Sequence, residues 1–166
     1  MRNVTLSVVA LLAVLCVGCE GWNMGGEKEA KPVASTPTKS LYERLGGKNA
    51  VTAVVDDFVM RAAADPKVNF TRKGVPGAEW DATPANVAHL KAQLVDFLTM
   101  AFGGPNNYKG KDMKSAHAKM QITAAEFNAI AADLSATLDK FNVKDPEKKE
   151  VMGIAASTMN DIVTKK

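Results

Sequence analysis

Apolar residues from position 40 onward recur three or four residues apart, the spacing of one face of an α-helix. The stripes predict helices over residues 48–64, from Pro84 to the glycines at 103–104, from Ala124 to Phe141 and from Asp145 onward. No segment alternates apolar and polar residues with the period of two that marks a half-buried strand. The pattern therefore predicts an all-α domain.

Local signals place several helix ends. Ser40 with Glu43, and Thr123 with Glu126, have the spacing of a capping box, in which the two side chains satisfy each other's free backbone N–H groups. The loop over residues 67–81 separates the second and third predicted helices. It is long for a compact domain, and loops of this length are often functional.

Residues 113–122 contain His117, one of two histidines in the chain. Met113, Ala116 and Met120 have helical spacing, and His117 shares their apolar face. An imidazole on such a face has two interpretations. It is a core histidine whose nitrogens bond to neighbouring groups, or it is a ligand to a buried metal or haem iron. Spacing alone favours the first and leaves both open.

Composition and motifs exclude several classes of function. The net charge of +3 is small, and no cluster of basic residues with interleaved aromatics supports nucleic-acid binding. The chain has no glycine-rich phosphate loop, no hydrolase elbow and no histidine pair at chelating spacing. It also lacks the Cys-x-x-Cys-His motif of covalently attached haem. One imidazole facing apolar helices suits a large apolar cofactor with a single axial ligand.

The first residues have the pattern of an export signal. Arg2 precedes an apolar run over residues 4–17, which is shorter than the roughly 20 residues that a membrane-spanning helix needs. Gly18 directly before Cys19 resembles the cleavage site of a bacterial lipoprotein, although Cys16 stands where such signals usually have leucine. The alternative is an ordinary cleaved signal in which the cysteine is incidental.

We therefore expect residues 1–18 to be a lipoprotein-type signal peptide and Cys19 to be acylated. Residues 19–39, rich in Gly, Lys, Glu, Pro, Ser and Thr, would form a flexible tether, and residues 40–166 the folded domain. This organisation predicts an exported lipoprotein. Its anchor would lie in the cell membrane or outer membrane, and its domain would face the periplasm or the exterior.

A set of motifs in register resembles the group 1 truncated haemoglobins, from position 40 to about 162. The motifs are SLYERLGG (residues 40–47), AVTAVVDDF (50–58), FLTMAFGGP (97–105), Tyr-Lys-Gly (108–110) and MKSAH (113–117). The resemblance implies a two-over-two helical sandwich that encloses haem b. It also implies that His117 is the proximal ligand of the iron.

Other pocket residues follow from the same resemblance. Phe70 would pack on the haem face, and Tyr108 and Met113 would lie on the proximal approach. The resemblance also implies that the pocket walls include three residues near the end of the third helix, namely Phe97, Leu98 and Phe102.

The distal side departs from the family pattern. The family usually has Phe-Tyr in the second helix, where the phenol donates a hydrogen bond to bound dioxygen, whereas this chain has Phe58 followed by Val59. Leu90 matches the position that faces the iron, and Leu94 the position where glutamine is frequent. The adjacent Gln93 would supply the missing amide donor. Without a donor, dioxygen binds more weakly and the iron oxidises more readily.

His89 has two interpretations. It is a surface histidine near Asp96, or it moves inward as a sixth ligand of the iron. The helical phase favours the first, because Leu90 lies on the inner stripe.

The resemblance implies a gas-binding protein for dioxygen, NO or CO rather than an enzyme. The alternative is a haem enzyme, with NO dioxygenase or peroxidase-like activity, that depends on an external reductase. A globin-shaped interaction module without haem is a third hypothesis, and the presence of His117 argues against it.

Overall fold

The protein is described here by a computed structural model that covers residues 39–165. The elements are α1 (Leu41–Leu45), α2 (Gly47–Ala64), α3 (Pro84–Ala101), α4 (Met113–His117), β1 (Ile122–Thr123), α5 (Ala124–Lys140), α6 (Asp145–Ser157), α7 (Met159–Ile162) and β2 (Val163–Lys165). The predicted all-α class is confirmed. The predicted signal peptide, Cys19 and the tether up to residue 38 lie outside the described residues.

The helices pack as two linked pairs. α2 packs against α3 and α5, and α5 packs against α6. Their shared core begins with Val51, Val55 and Val59, which lie four residues apart on one face of α2 and are at most 3% exposed. The core is completed by Leu41, Val95, Phe102, Leu134, Leu138 and Val151. Full burial of each such side chain stabilises the fold by about 1.5–3 kcal/mol.

Both predicted capping boxes are present. The Ser40 hydroxyl accepts from the Glu43 backbone N–H, and the Glu43 carboxylate accepts in return from that of Ser40. Thr123 and Glu126 repeat the arrangement at the start of α5. Gly46 has a φ of +102°, a left-handed conformation that suits glycine, and it separates α1 from α2.

The end of the chain differs from the prediction of one continuous last helix. α6 ends at Ser157, and Thr158 follows with its hydroxyl donating to the Ala155 carbonyl at 2.7 Å. After the short α7, residues Val163–Lys165 extend and pair in parallel with Ile122–Thr123. A threonine hydroxyl that bonds the backbone competes with helix continuation, and the strand partner comes from a distant part of the chain.

The long loop between α2 and α3 is held by one set of contacts within the loop and by one ion pair to α5. The Trp80 indole N–H donates to the Phe70 carbonyl at 2.8 Å, and the two rings pack with centroids 5.4 Å apart. Arg72 forms an ion pair of 2.7 Å with Glu126 at the start of α5. The loop is therefore a structured part of the domain.

Among residues 39–165, no helix has the length and apolar character that crossing a bilayer requires.

Candidate functional site

A cavity of about 690 Å³ lies among α2, α3, α4, α5 and α6. Its size is within the range of about 300–1,000 Å³ that is usual for small-molecule sites. Most of the wall is aliphatic or aromatic. Eight of the ten predicted cofactor-binding residues line it, namely Phe58, Leu90, Gln93, Leu94, Phe97, Tyr108, Met113 and His117, together with Leu98 and Phe102. The fold therefore brings most of the predicted pocket to one place.

His117 is the last residue of α4, half-buried in the cavity wall. Its Nδ1 lies 2.8 Å from the Met113 carbonyl oxygen, one helical turn earlier. A carbonyl can only accept, so Nδ1 carries a proton, and in the neutral imidazole Nε2 then has the lone pair. A neutral imidazole whose second nitrogen is oriented by a backbone carbonyl is the usual form of a metal-binding histidine.

The start of α4 is fixed by Asp112. Its carboxylate accepts a hydrogen bond of 2.9 Å from the Ser115 backbone N–H, which is otherwise free at this end of the helix. Hydrogen bonds from the Ser115 side chain and backbone lower the pKa of Asp112. The carboxylate is therefore charged at neutral pH and holds the short helix that presents His117.

The α3 wall contains two polar side chains, Gln93 and His89. Gln93 is half-buried beside Leu90 and Leu94, as the helical phase predicts. His89 is exposed, but it also lines the cavity, at its rim. This wall therefore offers an amide and an imidazole to whatever the cavity holds.

Tyr108 joins the α3 wall to the segment before α4. Its ring packs edge-on against Phe97 with centroids 5.4 Å apart, and its hydroxyl donates to the Lys111 carbonyl at 2.6 Å. A Cβ at Gly110 would overlap the Tyr108 ring. The Tyr-x-Gly motif therefore has glycine at a position where the backbone lies too close to an aromatic ring for a side chain.

The structure places two predicted site residues away from the cavity wall. Val59 is 2% exposed and belongs to the core, because it follows the cavity-lining Phe58 by one residue and so points about 100° around α2. Phe70 packs on Trp80 within the long loop and against the edge of the core. The structure therefore does not place these two side chains among the residues that line the cavity.

The opposite wall of the cavity is not part of the site that the sequence predicts. It is formed by residues of α5 and α6, including Phe127, Ile130, Leu134, Leu138, Val151, Ile154 and Ala155. The apolar stripes of these helices were visible in the sequence. A stripe does not say whether it faces another helix or a cavity, so the pattern alone indicated only burial.

Comparisons with known proteins agree over the whole folded domain. The family model of the bacterial-like globins matches residues 40–164. A group 1 truncated haemoglobin of Tetrahymena pyriformis is 36% identical over 127 residues, which are 76% of this chain and 97% of that protein. A second, from a Synechocystis species, is 35% identical over 122 residues, covering 71% of this chain and 90% of that protein.

Solved structures give the same result for the fold. The truncated haemoglobin of T. pyriformis in its Fe(III) form superposes with a TM-score of 0.65 at 36% identity, covering 76% of this chain and all of that one. The 2/2 haemoglobin of a Synechococcus species, solved with covalently attached haem, has a TM-score of 0.64 at 34% identity, covering 75% and 98%. The predicted two-over-two sandwich is confirmed.

Proposed function

We propose a specific role for this chain, which belongs to the group 1 truncated haemoglobins and is thus a haem-binding globin. His117 would ligate haem b, and the iron of that haem would reversibly bind dioxygen, NO or CO. The observation that carries the proposal is the hydrogen bond between His117 Nδ1 and the Met113 carbonyl in the cavity wall. The Met113 carbonyl holds the proton on Nδ1, which leaves Nε2 as the donor atom for iron.

The cavity fits such a cofactor in size and in chemistry. Its apolar walls match a broad hydrophobic macrocycle, which gains free energy by leaving water. Haem also carries two carboxylates that favour a polar, exposed edge. His89 and Lys111 line the cavity and are exposed, so they are the side chains that would meet those carboxylates.

On the distal side, the proposal assigns Gln93 as the hydrogen-bond donor. When bound, haem would supply an iron that takes up a diatomic ligand. Leu90 and Leu94 would shield that ligand from water but have no group that could donate a hydrogen bond to it. The half-buried Gln93 amide is next to both leucines and lines the same cavity. Catalysis relies on several polar groups aimed at the reacting atoms, and the wall around Leu90 and Leu94 offers few, so we propose gas binding rather than NO dioxygenation or peroxidase chemistry.

Absorption spectra of the purified full-length chain test this function. Ferric, ferrous and CO-bound forms should each show a Soret band, and His117→Ala should abolish or severely weaken haem binding. His89→Ala is the matched control, because it removes the other histidine from the same cavity; at the exposed rim it would lose at most one contact with a haem carboxylate, so the Soret band should persist. No haem uptake by the parent would refute the proposal, and a His117→Ala variant with the parent's spectra would refute the role of His117.

We further propose that the domain is exported and anchored through acylated Cys19, and that an external reductase keeps the iron ferrous. The support for the anchor is the sequence pattern: an apolar run after Arg2, then Gly18 before Cys19. Labelled palmitate should be incorporated by the parent and by Cys16→Ser but not by Cys19→Ser. Label in the Cys19→Ser variant, or none in the parent, would contradict the anchor.

A further inference from the structure

Arg72 is a buried cation in an unusual backbone conformation. It lies in the long loop between α2 and α3, and only 7% of it is exposed. Its φ of +53° is in the left-handed region, which residues with a Cβ seldom adopt. A buried charge and a strained backbone at the same residue are costly, so the interactions that hold them there must be specific.

The main partner of Arg72 is Glu126. The guanidinium Nη1 lies 2.7 Å from Glu126 Oε1. The other carboxylate oxygen, Oε2, accepts from the Thr123 backbone N–H at 2.8 Å and from its hydroxyl at 2.9 Å. Burial opposes ionisation of Glu126, but the bonds from Thr123 and Arg72 outweigh it and lower its pKa. One carboxylate therefore caps α5 and binds the loop at the same time.

The same guanidinium also reaches the segment that follows His117. Arg72 Nη2 lies 3.4 Å from the Gln121 carbonyl oxygen, a long hydrogen bond. Gln121 has a φ of +48°, and the Met120 N–H donates to the His117 carbonyl at 2.9 Å. The path from His117 to Arg72 thus consists of one tight turn and one left-handed residue, with little freedom left in it.

We propose that Arg72 is a positioning residue for His117. Arg72 connects the loop between α2 and α3 to the turn that follows His117. It therefore fixes the cavity wall formed by α2 and α3 relative to the wall that contains His117. The inference rests on the proposed function, in which His117 binds iron. If the join is lost, residues 118–122 gain freedom, the iron–histidine bond becomes more variable and haem escapes more easily.

The test compares Arg72→Met with Arg44→Met in the full-length chain. Arg44 is a suitable control because it is also a mostly buried arginine with carboxylate partners, Glu147 at 2.7 Å and Glu150, but it joins α1 to α6. Both variants should lower the melting temperature. Only Arg72→Met should shift and broaden the iron–histidine stretching band in the resonance Raman spectrum of the ferrous form. It should also speed haem transfer to apomyoglobin by about tenfold or more, as the loss of an outer-shell partner does.

A second pair of variants keeps the test valid if Arg72→Met does not fold. Arg72→Lys keeps the charge beside Glu126 but lacks the forked donors that bond the Gln121 carbonyl and the Glu126 carboxylate together. Glu126→Gln keeps a capping oxygen without the charge. Each should move the band in the same direction by a smaller amount. In the apoprotein, hydrogen exchange at residues 119–123 should increase for these variants and not for Arg44→Met.

The possible failures are distinguishable. A parent that takes up no haem refutes the proposed function and this inference together. A haem-loaded parent whose band position, haem loss and amide exchange are all matched by the Arg72 and Glu126 variants refutes the inference alone. Equal band shifts in Arg72→Met and Arg44→Met would show a general loss of stability and would also refute it.

Discussion

If the proposed function holds, Gln93 is the residue on which we expect the affinity for a polar ligand to depend most. It is half-buried in the cavity wall between Leu90 and Leu94, neither of which can donate. Bound dioxygen carries partial negative charge, and one donor stabilises it by roughly 1–1.5 kcal/mol. Gln93→Leu should therefore raise the dioxygen off-rate about tenfold, measured by stopped-flow displacement with CO.

The control for this prediction is His89→Leu, which removes the other polar side chain of the α3 wall. His89 is exposed at the rim, so its loss should change the off-rate much less. An off-rate in Gln93→Leu equal to that of the parent would mean that Gln93 is not the donor. A large rise in His89→Leu would transfer that role to the histidine.

His117 and Val59 show what could be predicted about single residues. The register of Gly-Gly-Pro, Tyr-x-Gly and MKSAH predicts His117 as the iron ligand, and the structure places His117 in the cavity wall with its Nδ1 beside the Met113 carbonyl. Val59 was assigned by its position in a motif, yet a helix turns by about 100° per residue and only Phe58 lines the cavity. Sequence register gives the position along a helix, whereas the facing direction depends on how the helices pack.

Among the elements, the capping box of α5 supports one wall of the cavity. The Thr123 hydroxyl accepts from the Glu126 N–H at 3.2 Å and donates to its carboxylate at 2.9 Å. Thr123→Ala should lower the free energy of unfolding by about 1 kcal/mol, within the range of about 0.5–2 for such caps, in urea denaturation. Thr123→Ser keeps the hydroxyl and should stay close to the parent. Equal losses in both variants would assign the effect to the methyl group.

Asp112 gives the short helix α4 a pH dependence. Hydrogen bonds from Ser115 lower its pKa in the folded state, so the carboxylate stabilises the fold fully above the unfolded value of about 3.9. That contribution is lost as the pH falls through the folded value. The stability advantage of the parent over Asp112→Ala, measured by urea denaturation of the apoprotein, should therefore be full at pH 7 and shrink below about pH 4.

Asp112→Asn is the control, because an amide oxygen can still cap the helix but does not titrate. Its advantage over Asp112→Ala should be the same at pH 7 and in acid. A parent advantage that stays constant down to pH 2, like that of the asparagine variant, would show that the ionised form of Asp112 contributes nothing.

Elements whose sequence signal lies within a few neighbouring residues could be predicted, whereas elements that depend on residues far apart in the chain could not. Ser40 with Glu43 and Thr123 with Glu126 are complete within four residues, and both boxes form as predicted. The end of α6 depends on Thr158 and on pairing between Val163 and Ile122, which are far apart in the chain. The ion pair between Arg72 and Glu126 could not be predicted from the sequence either, because the two residues are far apart in the chain.

At the scale of the whole molecule, the cavity and the hydrophobic core are one structure. Leu134, Leu138 and Val151 belong to the buried core and also line the cavity. These side chains therefore contact both the packed core and the space of the cavity. In a close-packed interior, unfilled volume costs dispersion contacts, so the proposed haem would complete the packing of the core.

This continuity predicts that haem stabilises the domain strongly. A ligand that binds only the folded state at 1,000 times its Kd adds about 4 kcal/mol to the free energy of unfolding. The haem-loaded chain should therefore melt at a clearly higher temperature than the apoprotein by circular dichroism. His117→Ala at the same haem concentration should recover only a small part of that rise, because apolar contacts remain but the iron bond is gone. Equal melting temperatures with and without haem would mean that the cavity walls pack equally well when empty, and that the cofactor is not part of the core.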